Sequence, residues 1–265
     1  MVMLPLFYRS KYRYRIGKMR RQMTRAGLRR YLYTAAAVLL LFLMYRWLTR
    51  RPEYSAMYGY RGEIMGPGAP EEPKLNTVKL EVYLESMCPD TSRFIHTQLV
   101  KAWTILSPTK RVELTLVPFG KARCVAKGDD FECSCQHGGT ECVLNQLMNC
   151  VIDRLGFPDK IVPVINCIQG KHSLDDAMST CVAKNVLLDE IQMRDCATGV
   201  RGRRLLALAG SRTASLDPRL DFVPWIMINS ERNSDALYDL TENLCRTLEP
   251  APEECTEYMR EIKKR

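Results

Sequence analysis

The sequence lacks three features whose absence narrows the classes of protein it can belong to. Residues 1–52 contain no Asp or Glu, no cysteine precedes Cys88, and no N-x-S/T sequon occurs in the 265 residues. The first absence concentrates positive charge at the N-terminus, and the second confines thiol chemistry to the later part of the chain. The third argues against sorting that depends on an N-linked glycan.

The net charge of +9 comes from the N-terminal segment and not from a nucleic-acid-binding domain. Residues 1–52 hold 13 of the 39 Lys and Arg, so the rest of the chain, with all 30 acidic residues, has a net charge of −4. A nucleic-acid-binding domain needs its basic residues clustered on one folded face. We therefore predict no nucleic-acid partner.

An apolar run at residues 32–48 follows the basic segment and is flanked by aromatic residues. This pattern predicts a transmembrane helix that acts as an uncleaved signal anchor, because no small-residue cleavage site follows it. A cleaved signal peptide is the alternative. The expected product is a single-pass type II membrane protein of the secretory or endolysosomal system, with residues 1–31 as a basic cytoplasmic tail and residues 49–76 as a Gly- and Pro-rich linker.

The chain has 11 cysteines, and all of them follow the apolar run. Such a distribution is typical of a domain that folds in an oxidising compartment, which here means a lumenal or extracellular domain. Because 11 is odd, ten cysteines can pair and one is left as a free thiol.

Cys88 occupies the position expected of a reactive thiol. Alternating apolar residues over 78–84 predict a strand, helical spacing follows over 91–106, and a second strand is predicted over 111–117. The N–H groups and the dipole at the start of a helix favour the thiolate form of a cysteine. Cys88 is therefore the candidate for both the nucleophile and the unpaired cysteine.

The remainder of the domain is predicted from the same periodicities. A disulfide-rich, mostly helical insertion is expected over about 121–199, with helices near 142–155 and 173–193. A strand entered through Pro224 is expected over 221–229, and a last helix over about 234–248. Residues 256–265 are predicted to be a charged, frayed tail, and local disulfides are expected for Cys124–Cys133 and Cys245–Cys255.

The segment Cys135–Cys150 reads CQHGGTECVLNQLMNC, which predicts a cross-linked turn leading into a helix. It fills every fixed position of C-Q-H-G-x-x-E-C-x-x-N-x-x-x-x-C, and the chain therefore resembles the gamma-interferon-inducible lysosomal thiol reductase family. The resemblance covers residues 77–255. It implies an α/β, thioredoxin-like fold with a disulfide-rich helical insertion and a cis peptide bond before Pro224.

The resemblance also implies a thiol-disulfide oxidoreductase that uses Cys88, Thr91 and Pro224, without a cofactor or a metal. Its partners would be disulfide-containing proteins, an external small thiol or other reductant, and a membrane through the N-terminal helix. The chain departs from the family at one position, because C-P-D-T (88–91) replaces C-x-x-C. Thr91 cannot resolve a mixed disulfide, although its hydroxyl is able to donate to the Cys88 thiolate.

Several other readings remain open from the sequence. A redox-inactive binding or chaperone protein is the rival function. Two separate readings make Cys88 a structural cysteine paired with one of the other ten, and Val223-Pro224 part of an edge strand with a trans proline. Two further readings carry less weight. One makes His137 a catalytic base, where a bond to a turn carbonyl is the simpler role, and the other is zinc binding by a cysteine set: Cys133, Cys135, Cys142 and Cys150.

Overall fold

The computed structural model describes residues 25–49 and 75–264. These residues fall in two units, residues 1–69 and residues 70–265, and only the second contains strands among its described residues. In the first unit, Arg25–Thr49 forms a helix, α1. The predicted cytoplasmic tail over 1–31 and the linker over 49–76 lie largely outside the described residues.

The transmembrane anchor predicted over 32–48 is not supported. Among the described residues, no helix has both the length and the apolar composition needed to cross a bilayer. Helix α1 does form at this place, but the apolar stretch between Arg30 and Arg46 is shorter than the ~20 residues that a typical bilayer requires.

The second unit is built on a four-stranded sheet with the order β2-β1-β5-β6. Strand β1 (Val78–Leu84) pairs in parallel with β2 (Val112–Pro118) and antiparallel with β5 (Trp225–Ile228), and β5 pairs with β6 (Glu231–Arg232). β1 is central and its apolar side chains are buried, which explains the alternation of the sequence there.

A continuous helical segment, α2, connects β1 to β2. It comprises Pro89–Phe94, a π-helical turn at Ile95–Leu99, and Val100–Leu106. A parallel pair of neighbouring strands needs such a crossover, and Phe94, Ile95 and Leu99 fill the core beneath the sheet. The predicted order of strand, cysteine, helix and strand is confirmed.

The insertion is mostly helical, as predicted, but it opens with a β-hairpin that the sequence analysis did not predict. β3 (Arg123–Lys127) and β4 (Asp130–Ser134) pair antiparallel across Gly128, which has a φ of 58°. Left-handed backbone suits glycine, so this residue closes the turn. The helices that follow are α3 (Gly139–Leu155), α4 (Pro158–Ile168), α5 (Leu174–Ala177, extended by a π-turn at Met178–Val182), α6 (Glu190–Thr198) and α7 (Val200–Ala214).

Three predicted boundaries differ from the structure. The single helix predicted over 173–193 is divided between α5 and α6, because the chain turns at Asn185 and restarts where the Asp189 side chain caps α6. The last predicted helix is a short 3₁₀ turn, Asp235–Leu237, followed by α8 (Leu240–Thr247). The tail predicted to be frayed forms α9 (Glu253–Ile262), which the buried residues Cys255 and Tyr258 anchor.

Five disulfides brace this unit, and both predicted local pairs are confirmed. Cys124–Cys133 joins the hairpin strands and Cys245–Cys255 joins α8 to α9. The other pairs lie in the insertion: Cys135–Cys142, Cys150–Cys196 and Cys167–Cys181. Cys150–Cys196 spans the largest sequence separation, 46 residues, and joins α3 to α6 inside the core.

This difference in loop length leads to a first prediction. The double variant C150A/C196A should lose roughly 4 kcal/mol of unfolding free energy on the chain-entropy model, because the released loop is long. The double variant C124A/C133A is the matched control, with a separation of 9 residues. It should lose only roughly 2.5 kcal/mol on the same model. Denaturant unfolding of both variants measures the difference, and equal losses would contradict the argument from loop length.

Candidate active site

The turn between β1 and α2 carries Cys88. Its backbone N–H donates to the Glu85 carbonyl at 3.4 Å. The Cys88 carbonyl accepts two hydrogen bonds from Ser92, one from the backbone N–H at 3.0 Å and one from the hydroxyl at 2.9 Å. Cys88 is the N-cap residue of α2, with extended backbone angles, and Pro89 fills the first helical position, where a missing N–H costs nothing. The half-buried thiol therefore lies at the start of the helix, as predicted.

Cys88 is the free cysteine. All 11 cysteines fall within the described residues, and the other ten are paired in disulfides. The alternative in which Cys88 is a bracing cysteine is therefore wrong. The Cys88 sulfur, at the strand-to-helix turn, therefore has no remaining cysteine with which to form a disulfide.

The Val223-Pro224 segment lies across from the thiol. The peptide bond before Pro224 is cis, so the trans alternative is wrong, and the Cys88 Sγ lies 3.8 Å from the Val223 carbonyl oxygen. At this distance the thiol makes a weak S–H···O contact with the backbone. The fold thus brings together two predicted site residues that are separated by more than 130 positions.

Thr91 lies one helical turn after Cys88 and is fully buried. Its Oγ1 has no hydrogen-bond partner among the described residues, so the structure does not show the contact with the Cys88 sulfur that its hydroxyl is able to make. A buried hydroxyl without a partner carries an uncompensated desolvation cost. The residue thus occupies the predicted place in the site without a bond to the nucleophile.

An aromatic pair flanks Pro224, and the sequence analysis assigned it no role. The rings of Phe222 and Trp225 have centroids 5.7 Å apart, and the Arg232 guanidinium lies over both, 4.8 Å from the Phe222 centroid and 3.8 Å from that of Trp225. Cation–π contacts of this kind hold a charged side chain against an apolar wall. The pattern Phe-Val-Pro-Trp was visible, but Arg232 comes from the neighbouring strand β6.

The insertion holds the backbone of the thiol turn. The Gln169 side-chain amide donates to the carbonyls of Glu85 and Ser86 at 2.8 and 2.9 Å, and the Gly170 N–H also donates to Ser86 at 2.8 Å. Ser86 N–H donates in turn to the Asn145 side chain at 2.9 Å. The turn therefore depends on residues at the end of α4 and in α3, which lie far from it in sequence.

A buried carboxylate cluster lies beside the same turn. The Glu85 and Glu141 side chains are 1% and 0% exposed, and both approach His137 Nδ1, with Glu85 Oε1 at 3.1 Å and Glu141 Oε2 in a short hydrogen bond. The sequence analysis favoured a bond from His137 to a turn carbonyl, and the structure gives a carboxylate pair instead. Gly120 makes room for Glu85, because a Cβ at that position would overlap the carboxyl group.

Two pKa shifts follow from this cluster. Burial raises the pKa of the Glu85 carboxyl, and the neighbouring Glu141 carboxyl raises it further, while the Lys121 backbone N–H opposes both effects. The hydrogen bond and the charge of Glu141 raise the pKa of His137, with Glu85 adding to the effect and desolvation opposing it. The folded protein therefore holds protons here to a higher pH than the unfolded chain does.

Comparisons with known proteins identify the family. The profile of gamma interferon inducible lysosomal thiol reductase (GILT) matches residues 79–185, which include Cys88 and the whole Cys135–Cys150 segment. The GILT-like protein C02D5.2 of Caenorhabditis elegans is 53% identical over 91% of this chain and 76% of its own length. The chain belongs to the GILT family.

The comparisons also found more distant similarities. The gamma-interferon-inducible lysosomal thiol reductase of Carassius auratus is 32% identical over 63% of this chain and 65% of its own length. Among solved structures, MdbA, a thiol-disulfide oxidoreductase from Actinomyces oris, has a TM-score of 0.48 at 14% identity, covering 67% of this chain and 83% of that one.

The GILT signature can now be read from its contacts. Cys135 and Cys142 close the loop that contains His137, while Glu141 and Asn145 reach the thiol turn through the Ser86 hydroxyl and N–H. The signature thus braces the turn that carries Cys88, which agrees with the prediction that the segment is a scaffold. Its three cysteines are all in disulfides, so none of them is a free thiol.

The unpartnered hydroxyl of Thr91 leads to a stability prediction. Thr91→Val should raise the free energy of unfolding by about 1 kcal/mol, because it removes a buried hydroxyl that has no partner and keeps the shape of the side chain. The measurement is denaturant unfolding of the full chain. Thr241→Val is the matched control and should also raise the free energy of unfolding, since the Thr241 hydroxyl is likewise buried without a partner among the described residues. A loss of stability in Thr91→Val alone would mean that this hydroxyl has a partner in solution.

The raised pKa values lead to a prediction about pH. A group whose pKa is higher in the folded state stabilises the fold fully below its unfolded pKa, about 4.3 for Glu and 6.5 for His. That stabilisation is lost as the pH rises through the folded values, so the thermal unfolding midpoint should fall as the pH rises above these unfolded values. The measurement is made with a chelator so that no metal ion binds Glu85, His137 or Glu141. His137→Asn should flatten this decline and His96→Asn, on the exposed face of α2, should not. A midpoint that rises with pH in the native chain would refute the assignment.

Proposed function

We propose that this protein is a thiol-disulfide oxidoreductase that acts on protein disulfides through the single active-site cysteine Cys88. The observation that carries the proposal is the placement of the unpaired thiol, which starts a helix and lies 3.8 Å from the Val223 carbonyl, beside Pro224. The thiolate form of a cysteine is the nucleophile that attacks a disulfide. We take residues 77–255 as the catalytic domain, with the insertion at 121–199.

The first step forms a mixed disulfide. The Cys88 thiolate attacks one sulfur of the substrate disulfide, a Cys88–substrate S–S bond forms, and the second substrate sulfur leaves as a thiolate. The backbone at Val223 and Pro224 lies next to the Cys88 sulfur, so we assign this segment to the positioning of the substrate chain. Arg232 packs on the rings of Phe222 and Trp225 and so holds these two side chains beside Pro224.

The second step needs an external thiol, because Thr91 offers no sulfur. A small thiolate attacks the Cys88 sulfur and forms a disulfide with it, and the substrate leaves with both of its cysteines reduced. A second small thiol then attacks this disulfide, which releases a small-molecule disulfide and regenerates the Cys88 thiol. The net reaction turns one substrate disulfide and two small thiols into one substrate dithiol and one small-molecule disulfide. The five structural disulfides support a working place in an oxidising compartment of the secretory or endolysosomal pathway.

The second candidate is a redox-inactive binding or chaperone protein of the same fold. It is favoured by Thr91, which occupies the position of the resolving cysteine in the C-x-x-C of the family and makes no bond to the thiol. In this case the surface around Cys88 and Pro224 holds extended chains without turnover.

Turnover of a peptide disulfide by the full chain separates the two candidates. With small thiol present, the native chain should turn over, Cys88→Ser should fall to the rate without protein, and omission of the small thiol should leave a trapped mixed disulfide. Thr91→Cys should raise turnover at least tenfold, because a thiol one helical turn from Cys88 supplies the resolving step.

Thr91→Val is the matched control for Thr91→Cys and should leave turnover unchanged, since neither Thr nor Val provides a sulfur. If Cys88→Ser loses nothing and Thr91→Cys gains nothing, the thiol is not catalytic. The binding-protein candidate then takes its place.

A further inference from the structure

The cluster of Glu85, His137 and Glu141 has the donor set and the separations of a metal site. Their ligand atoms, two carboxylate oxygens and one imidazole nitrogen, lie within 4.8 Å of one another. Tetrahedral zinc with bonds of about 2.0–2.2 Å places its ligand atoms roughly 3.4 Å apart, so small shifts of these side chains would let them surround one ion.

The second oxygen of each carboxylate is already occupied. Glu85 Oε2 accepts the Lys121 backbone N–H at 3.0 Å, and Glu141 Oε1 accepts the His137 backbone N–H at 3.4 Å. These bonds orient the carboxylates so that Glu85 Oε1 and Glu141 Oε2 point at His137 Nδ1. Outer-shell hydrogen bonds of this kind hold the ligands of metal sites in proteins.

One buried oxygen in the cluster has no donor. Glu85 Oε1 accepts no hydrogen bond from the described residues, although its side chain is only 1% exposed. His137 Nδ1 carries at most one proton, and its short bond goes to Glu141. A buried carboxylate oxygen left in this way is available to coordinate a bound cation.

The loop that carries two of the three ligands is fixed before any ion binds. The Cys135–Cys142 disulfide closes it, and Gly138, with a φ of 86°, turns the chain so that Glu141 in the first turn of α3 faces back towards His137. The His137 side chain is 35% exposed, so an ion at Nδ1 can enter from solvent and keep a water ligand.

We propose that Glu85, His137 and Glu141 bind a divalent transition-metal ion, with zinc as the best match to one imidazole and two carboxylates. The site is distinct from the cysteine sets considered in the sequence analysis, whose sulfurs are in disulfides. It connects the residue that follows β1, three positions before Cys88, to the loop closed by Cys135–Cys142. The bound ion would therefore stiffen the turn that presents the thiol.

Calorimetric titration of the chelator-treated full chain with Zn²⁺ alone, near neutral pH, tests the proposal. Cys88→Ser is used beside the native chain, because a free thiol also binds zinc. Both proteins should bind one zinc per chain, and zinc should raise their thermal unfolding midpoint. Failure of Cys88→Ser to bind would overturn the proposal, whereas it says nothing about turnover by Cys88.

Two variants each remove one of the proposed ligands. His137→Ala and Glu141→Gln should each weaken zinc binding at least tenfold, and His96→Ala, a histidine on α2 paired with Asn166, should not. X-ray absorption of the zinc-loaded Cys88→Ser chain should show nitrogen and oxygen neighbours near 2.0 Å and no sulfur near 2.3 Å. Unchanged affinity in a folded His137→Ala or Glu141→Gln variant, or a sulfur neighbour, would refute the assignment.

Discussion

The hydrogen bonds to the carbonyls of Glu85 and Ser86 are the constraint on which the arrangement of the site depends. β1 ends at Leu84, and the chain must reverse into α2 within four residues while leaving a thiol half-exposed. Backbone groups in such a turn need partners once they are buried. Gln169, Gly170 and Asn145 supply them from the insertion, so the insertion completes the turn that carries Cys88.

The disulfides brace the part of the insertion on which the Cys88 turn depends. Helix α3 carries Asn145 and Glu141, and its two cysteines tie it on one side to the loop before it and on the other to α6. A disulfide limits the conformations of the unfolded chain and adds rigid connections to a unit that includes many loops. Ten cysteines are used in this way, and Cys88 remains as the unpaired thiol.

Thr91 fills the buried position one helical turn after Cys88. The surrounding core is formed by apolar side chains of the sheet and of α2. The helix start at Cys88, the cis peptide bond before Pro224 and the hydrogen-bonded turn are all present with a threonine, and not a thiol, at position 91. The geometry of the turn therefore does not require a second thiol.

Local pattern was sufficient for part of this structure. The alternation in β1 and β2, the odd cysteine count, the two short-range disulfides and the position of Cys88 before a helix all depend on neighbours close in sequence, and the structure confirms each of them. The tail helix α9 and the division of the helix predicted over 173–193 were missed, because capping and packing against other elements decide where such helices begin and end.

Only the tertiary structure decided the environment of the thiol. Gln169 meets Ser86 across 83 residues, Val223 meets Cys88 across 135, and His137 joins Glu85 from a different element. Such pairings depend on how the helices pack on the sheet, which the spacing of residues along the chain does not determine. The sequence alone thus identified the family resemblance and Cys88 as the unpaired cysteine, and the fold determined which groups surround the Cys88 thiol.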